Sequence, residues 1–394
     1  MNKSTLISII LLIFFISGCA SNKSFNIVKT GSNERKEQKE LSSQDKIKET
    51  ITNYNLYIQN QDPNANPMNS EELDLALAGL EPLDDSLNKF ALLLEKNKIG
   101  KYALNSTKIA TSYLTTKDVD FELKTFNIKD NMSDTIANIR REKFAYVIAI
   151  ITTSQLEPLM QLANQNPDMK FYIPTIHISQ LENITDQNST SNIVFGGIDY
   201  GKQIDNLSQF TSGKVSMFNI KNSLGDSLRG YVYQNSSQIV FDQDITGSTS
   251  RFDKLIEDKE ILNETSMYLN TPIVKSSLIM SQLRIYELLP YPILSTQLSY
   301  NRLLFSLTQP KDRQNLIVAN SIIKYDATVD ENSKLLGSNI DFDHINYSTC
   351  IGIDYFFAYI NQIQRSFEEN IAQNQVQYDV QLLKSGSYNF SIIQ

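Results

Sequence analysis

The chain has 394 residues, of which 41% are hydrophobic and 20% charged, with a formal net charge of -8. It contains only two histidines and two cysteines, too few for a multi-histidine metal centre, a zinc ribbon, an iron-sulfur cluster or a disulfide scaffold. Its 36 lysines and arginines are scattered among 44 acidic residues, which argues against nucleic acid as a partner. We therefore expect a globular protein without a bound metal or other cofactor.

The first residues have the pattern of an export signal. Lys3 precedes an apolar run over residues 6–16, which is too short to span a bilayer as a helix, and Gly18-Cys19 follows. This end resembles a bacterial lipoprotein signal, in which cleavage before Cys19 follows attachment of lipid to its thiol. Ala20 and Ser21 stand where an inner-membrane retention signal has Asp, so the resemblance implies a lipid anchor in the outer membrane, on its periplasmic face. The alternative is a plain secretory signal with an incidental cysteine.

The second cysteine and the segment after the signal have different characters. Cys350 opens an apolar stretch, and we expect it to be a buried core residue rather than a reactive thiol. Residues 19–87 are largely polar and predict a tether with short helices at 46–58 and 70–80. These helices either dock on the main domain or lift it from the membrane.

After residue 88 strands rich in β-branched residues alternate with helices of about a dozen residues, as in a parallel sheet covered on both faces. In the first half we predict strands at 90–95, 119–128, 144–153, 169–176 and 192–198, and helices at 101–116, 133–143 and 155–165. In the second half we predict helices at 203–212, 224–232, 252–262 and 272–289, and strands at 214–220, 237–241, 265–269 and 293–298. A long helix at 346–369 and a hairpin of strands at 376–383 and 388–393 complete the α/β pattern.

This order of elements resembles the type I periplasmic solute-binding fold, with two interleaved, doubly wound parallel-sheet lobes. It is closer still to the C-terminal domain of outer-membrane lipoprotein activators of penicillin-binding proteins, which have a similar opening strand, a segment like Gly352-Ile353-Asp354-Tyr355 on a late helix, and a closing hairpin. The chain lacks the long helical-repeat domain that precedes it in those activators. The resemblance implies a domain over 88–394, with lobe one at about 88–198 and 299–338 and lobe two at about 199–298 and 339–394.

Open α/β sheets bind ligands at the carboxyl ends of their strands, so the resemblance places a ligand cleft there, between the lobes. The candidate ligand-binding residues are Thr152, Thr153, Ser154, Thr175, Tyr200, Asn222, Ser223 and Thr296. In amino-acid receptors of this class a Ser or Thr near the first position holds the ligand carboxylate, a role that Thr153 and Ser154 match. The same serines also fit capping boxes at Ser154-x-x-Glu157, Ser223-x-x-Asp226 and Ser250-x-x-Asp253, which need no ligand.

No other pattern indicates catalysis. His177 and His344 are 167 residues apart without the spacing of a metal site, and no Gly-x-Ser-x-Gly pentapeptide occurs. Asp341 and Asp343 lack the further ligands of a calcium loop. We predict no catalytic residues, and an enzyme is the weakest of three hypotheses.

Two functional hypotheses therefore lead. The favoured one is a non-enzymatic, lipid-anchored interaction or regulatory module that docks on an envelope protein such as a peptidoglycan synthase. The alternative is a solute-binding lipoprotein for an amino acid or another small polar ligand, serving a transporter or a sensor.

Overall fold

The computed structural model describes residues 26–29, 83–129, 131–181, 191–323 and 326–393. The predicted signal peptide, the lipid-anchor residue Cys19 and the predicted helices at 46–58 and 70–80 lie outside these residues. Within them, none of the helices is both long enough and apolar enough to cross a bilayer.

The first sheet has eight described strands in the order β1-β3-β2-β4-β5-β6-β13-β12. Neighbours from β3 to β13 pair in parallel, while β1 and β12 add antiparallel edges. The strands are β1 (Asn26–Lys29), β2 (Lys89–Leu94), β3 (Phe121–Asn127), β4 (Tyr146–Ile150), β5 (Lys170–Ile173), β6 (Ile193–Phe195), β12 (Asn370–Ala372) and β13 (Gln375–Gln377).

The second sheet has seven described strands in the order β15-β14-β11-β10-β9-β7-β8, with β14 and β15 antiparallel at one edge. They are β7 (Val215–Ile220), β8 (Ile239–Ile245), β9 (Ser266–Asn270), β10 (Ile293–Ser295), β11 (Leu316–Asn320), β14 (Gln381–Ser385) and β15 (Phe390–Ile392). The expected pair of mainly parallel α/β lobes is therefore confirmed.

Helices connect the parallel strands and cover the sheets. They are α1 (Lys96–Ile99), α2 (Tyr102–Thr115), α3 (Met132–Arg141), α4 (Leu156–Gln165), α5 (Tyr200–Ser208), α6 (Ser223–Asn235), α7 (Phe252–Ile256), α8 (Ile273–Ile285), α9 (Leu303–Leu307), α10 (Ala327–Leu335) and α11 (His344–Asn361). Each sheet has an apolar cluster on both faces, and Cys350 lies fully buried in the cluster between α2, α11 and the first sheet, as expected. Burial raises the pKa of the Cys350 thiol, which makes it a poor nucleophile.

The predicted assignment of residues 299–338 to lobe one and residues 339–394 to lobe two is wrong in part, since α10 does pack on α2 in lobe one. Strand β11 lies in the second sheet beside β10, whereas residues 299–338 were assigned to lobe one. A short helical connection joins β10 and β11, and such consecutive parallel strands pair within one sheet. Helix α11, β12 and β13 belong to lobe one, so of the final segment only β14 and β15 lie in lobe two.

Several element boundaries also differ from the sequence prediction. The helix predicted at 252–262 ends at Ile256, and the strand predicted at 376–383 is divided between β13 and β14, which lie in different sheets. Helix α11 ends at Asn361, eight residues earlier than expected, because Gln362 adopts a left-handed conformation with φ of 52°. The predicted tether contains β1, which pairs with β3 from Asn26 opposite Lys124 to Lys29 opposite Phe121. The polar stretch before residue 88 is therefore attached to the domain at its amino-terminal side.

Candidate functional site

A cavity of about 240 Å³ lies between the two lobes, at the carboxyl side of the first sheet. Thr175 and His177 follow β5, while Tyr200 opens α5. Tyr231 on α6 and His344 at the start of α11 line other parts of the wall. The structure thus brings together Thr175 and Tyr200, two of the eight predicted ligand-binding residues, at one cavity.

Both histidines of the chain line this cavity, although they are far apart in sequence. His177 Nδ1 lies 2.8 Å from the Ser179 hydroxyl, and burial lowers the pKa of His177 against an opposing effect of Asp199. Burial lowers the pKa of His344 to about 3. Its Nε2 atom is buried and has no hydrogen-bond partner among the described residues. Both rings are therefore neutral at neutral pH, and His344 has an unused polar atom.

The first predicted ligand position is occupied by a carboxylate of the protein itself. Glu95 follows β2, is only 7% exposed, and accepts hydrogen bonds from the Thr152 backbone N–H at 2.9 Å and the Thr152 hydroxyl at 2.6 Å. Thr152 precedes the helical turn that leads into α4, and negative charge is favourable at the amino-terminal end of a helix. Glu95 thus occupies the amide and the hydroxyl of Thr152, the first of the predicted ligand-binding residues.

Thr153 and Ser154 are exposed, and neither lines the cavity. The predicted capping box at Ser154 is wrong, because a 3-10 turn over Thr153–Gln155 precedes α4 and no side chain caps that helix. The Ser154 hydroxyl instead lies 2.9 Å from the Thr152 hydroxyl, so it supports the contact with Glu95.

The other predicted residues mostly have structural partners. Asn222, rather than Ser223, caps α6 by accepting a hydrogen bond from the Gly225 N–H at 2.9 Å. The Thr175 hydroxyl donates to the Ile151 carbonyl at 2.6 Å. Thr296 is fully buried and does not line the cavity, and its hydroxyl has no partner among the described residues. The third capping box is also wrong, since α7 begins at Phe252 without a side-chain cap.

A buried amide network lies where the chain passes between the lobes. Gln203 Oε1 accepts from the Gln297 N–H at 2.9 Å, and Gln203 Nε2 donates to the Ser321 hydroxyl at 2.9 Å. Gln297 Oε1 accepts from the Ser321 N–H at 2.7 Å, and Gln297 Nε2 donates to Asn320 at 3.0 Å. Because these side chains satisfy one another, they connect α5 to the residues after β10 and β11 without a ligand.

The Gly352-Ile353-Asp354-Tyr355 segment has a structural explanation. A Cβ atom on Gly352 would lie 2.4 Å from the Tyr172 ring, so the glycine permits close packing of α11 on the first sheet. Asp354 accepts from the Tyr113 hydroxyl at 2.7 Å and from the Ser366 N–H at 2.8 Å, which fixes the loop after α11.

Sequence reasoning did not identify Glu95, Tyr231 or the proximity of the two histidines. A signal existed for Glu95, because it is the single acidic residue at the carboxyl end of an apolar strand. His177 and His344 come close together because α11 belongs to lobe one, whereas the predicted lobe division places residues 339–394 in lobe two.

No protein-family model matches the sequence, and no curated protein matches it. Solved structures do match the fold. The substrate-binding protein LivJ of Streptococcus pneumoniae, in complex with isoleucine, is 9% identical over 78% of this chain and 99% of that chain, with a TM-score of 0.56. A branched-chain amino acid transporter structure from Thermus thermophilus with bound valine is 11% identical over 78% and 96%, with a TM-score of 0.56.

A third match comes from a different kind of protein. Full-length LpoA from Haemophilus influenzae is 10% identical over 89% of this chain and 66% of that chain, with a TM-score of 0.51. At such low identities these likenesses establish architecture and leave the function open. They agree with the two mainly parallel sheets and the intervening cleft described above. The chain therefore has the two-lobe fold of the type I periplasmic binding proteins.

Proposed function

We propose that this protein is a non-enzymatic, lipid-anchored module of the cell envelope that regulates a partner protein, with a peptidoglycan synthase as the first candidate. The observation that carries the proposal is the Glu95 carboxylate on the Thr152 amide and hydroxyl. The structural likeness to LpoA, with an alignment over 89% of this chain, supports the choice of partner.

Glu95 disfavours the amino-acid receptor alternative. A ligand carboxylate placed on the Thr152 hydroxyl would lie beside Glu95, and at about 4 Å the two charges would repel each other by about 4 kcal/mol at an effective dielectric constant near 20. In addition, the described residues that line the cavity include no Lys, Arg, Asp or Glu. This cavity therefore offers an amino acid neither a fixed cation for its carboxylate nor a fixed anion for its ammonium group.

A thermal-shift series with isoleucine, valine and polar amino acids separates the two functions. We expect no shift, whereas a receptor exposed to ligand at 100 times its Kd would gain about 2.7 kcal/mol in stability. A saturable shift with any of these amino acids would favour the receptor.

The regulatory role is tested with the mature chain and the purified peptidoglycan synthases of the same cell. We expect saturable binding to one synthase and a changed rate of glycan polymerisation or cross-linking. The Cys19→Ser protein is the matched control, since it removes the lipid and leaves the domain unchanged. Absence of both binding and a rate change for every synthase would refute this partner class.

The anchor is tested by fractionation. We expect the wild-type chain in the outer-membrane fraction and Cys19→Ser in the soluble periplasmic fraction, because several acyl chains on one cysteine anchor a protein stably. Unchanged membrane association of Cys19→Ser would contradict the anchor.

One observation favours a second function, the binding of a small uncharged polar ligand. The buried, unpartnered His344 Nε2 lies at the wall of a cavity of about 240 Å³. A thermal-shift screen of neutral sugars, amides and nucleosides tests this function, and a hit should lose its shift in His344→Phe if that nitrogen binds the ligand.

A further inference from the structure

We propose that β1 holds lobe one directly against the membrane, and that the surface formed by α1, the start of α2 and the end of β3 faces the anionic lipid headgroups. The proposal rests on the lipid anchor at Cys19. It assigns an interaction surface to the anchored protein and replaces the picture of a domain carried on a tether of about seventy residues.

Only a short stretch of chain separates the anchor from the fold. Asn26 is the first residue of β1, and only six residues separate it from Cys19. Even a fully extended chain from Cys19 to Asn26 spans at most about 25 Å. Because β1 is paired with β3 over four residues, the β3 edge of lobe one stays within this distance of the anchored cysteine while the pairing persists.

The direction of β1 determines which side of lobe one is nearest the anchor. The pairing is antiparallel, with Asn26 opposite Lys124 and Lys29 opposite Phe121. The amino-terminal end of β1 therefore points towards the carboxyl end of β3. That end of β3 supplies Thr125 and Asn127 to a groove of about 270 Å³, whose lining also includes Lys96 and Leu104.

The chemistry of this surface suits a headgroup layer. Lys96, Lys98 and Lys101 lie within six residues, and none forms an ion pair in the described part of the chain. Lys101 also acts electrostatically on Asp343, so part of its charge is offset. Leu104 is 54% exposed beside them. Lysines around an exposed apolar side chain are the combination that an anionic membrane surface attracts.

The orientation can be tested by labelling a single introduced cysteine. Lipid would occupy Cys19, and Cys350 is fully buried, so one introduced cysteine can be labelled selectively. We would label Leu104→Cys and, as the matched control on lobe two, Tyr233→Cys, because the two native side chains are 54% and 52% exposed. The lipidated full chains are reconstituted in vesicles of phosphatidylethanolamine and phosphatidylglycerol that contain a headgroup-quencher lipid.

We expect severalfold stronger quenching at position 104 than at position 233. Adding Ile27→Asp, which places a charge where Ile27 contacts the core, should remove the difference while the protein stays on the vesicles through its lipid. Removing residues 36–50 should leave the quenching unchanged, because they follow β1.

Equal quenching at both positions, or a difference that survives Ile27→Asp, would overturn the proposed orientation alone. A wild-type chain that is absent from the membrane fraction would overturn both the anchor and the orientation.

Discussion

At the scale of single residues, the contact of Glu95 with Thr152 limits which ligand groups can bind at Thr152. The same carboxylate oxygen accepts both the amide and the hydroxyl of Thr152 and is protected from water. A buried amide without an acceptor costs about 1 to 3 kcal/mol. The contact therefore contributes to stability as well as blocking an anion position.

We expect Glu95→Ala to lower the free energy of unfolding by about 1 to 3 kcal/mol and Glu95→Gln by less, since glutamine keeps an acceptor oxygen. Urea denaturation followed by circular dichroism measures both. Glu157→Ala is the control, because Glu157 is exposed on the adjacent helix and its removal should change stability by no more than about 0.5 kcal/mol. A Glu95→Ala protein as stable as this control would show that the contact is unimportant.

His344 should give the protein a pH-dependent stability. Its pKa is lowered from 6.5 to about 3 in the folded chain by burial, whereas the unfolded chain takes up the proton near pH 6.5. The stability is therefore complete above pH 6.5 and falls as the pH decreases, by up to about 1.4 kcal/mol per pH unit.

Urea denaturation at pH 7.5, 6.5 and 5.5 tests this in a range where most carboxylates remain ionised. We expect His344→Gln to reduce the loss of stability at low pH. His177→Gln should reduce it by less, because burial also lowers the pKa of His177. Identical pH profiles for the wild type and His344→Gln would contradict the assignment.

At the scale of elements, the packing of α11 on the first sheet depends on Gly352. A Cβ at this position would overlap the buried Tyr172 ring, whose hydroxyl is held 3.0 Å from the Ser348 hydroxyl. We expect Gly352→Ala to destabilise the fold by about 1 to 3 kcal/mol, as overpacking does. Gly230→Ala in α6 is the matched control. Nothing lies within 4 Å of its added Cβ, so it should stabilise by about 0.5 to 1 kcal/mol. Thermal unfolding of both proteins checks the opposite signs.

The elements also show what the sequence can predict. Strands β2 to β6 and their helices were located because their apolar periodicity is local. Strand β1 was missed because Phe25, Ile27 and Val28 form only a short apolar group in a polar stretch, and its structure depends on the free edge of β3. The end of α11 was misplaced because neither Gln362 nor the hydrogen bonds that Asp354 accepts from the following loop leave a periodic signal. For the site, the sequence indicates which polar residues follow the ends of strands. It does not indicate their partners, such as Glu95 for Thr152, because those contacts are tertiary.

At the scale of the whole molecule, the interleaved chain couples the two lobes. The chain leaves lobe one after β6, returns after β11 and leaves again after β13. Neither sheet is completed by a continuous segment. Gln203 and Ser321, which follow two of these crossing points, are joined through Gln297 in one buried network. Partial unfolding of one lobe would expose strands and amides that belong to the other.

We therefore expect one cooperative unfolding transition for the described domain. Hydrogen exchange should give the same opening free energy for β4 in lobe one and β9 in lobe two, within about 1 kcal/mol, because globally protected segments open together. Gln297→Ala should lower both values equally, by about 1 to 3 kcal/mol, since it leaves buried amide partners unsatisfied. If β9 lost protection in this variant while β4 kept it, the lobes would be independent folding units, and the three crossings would act only as hinges.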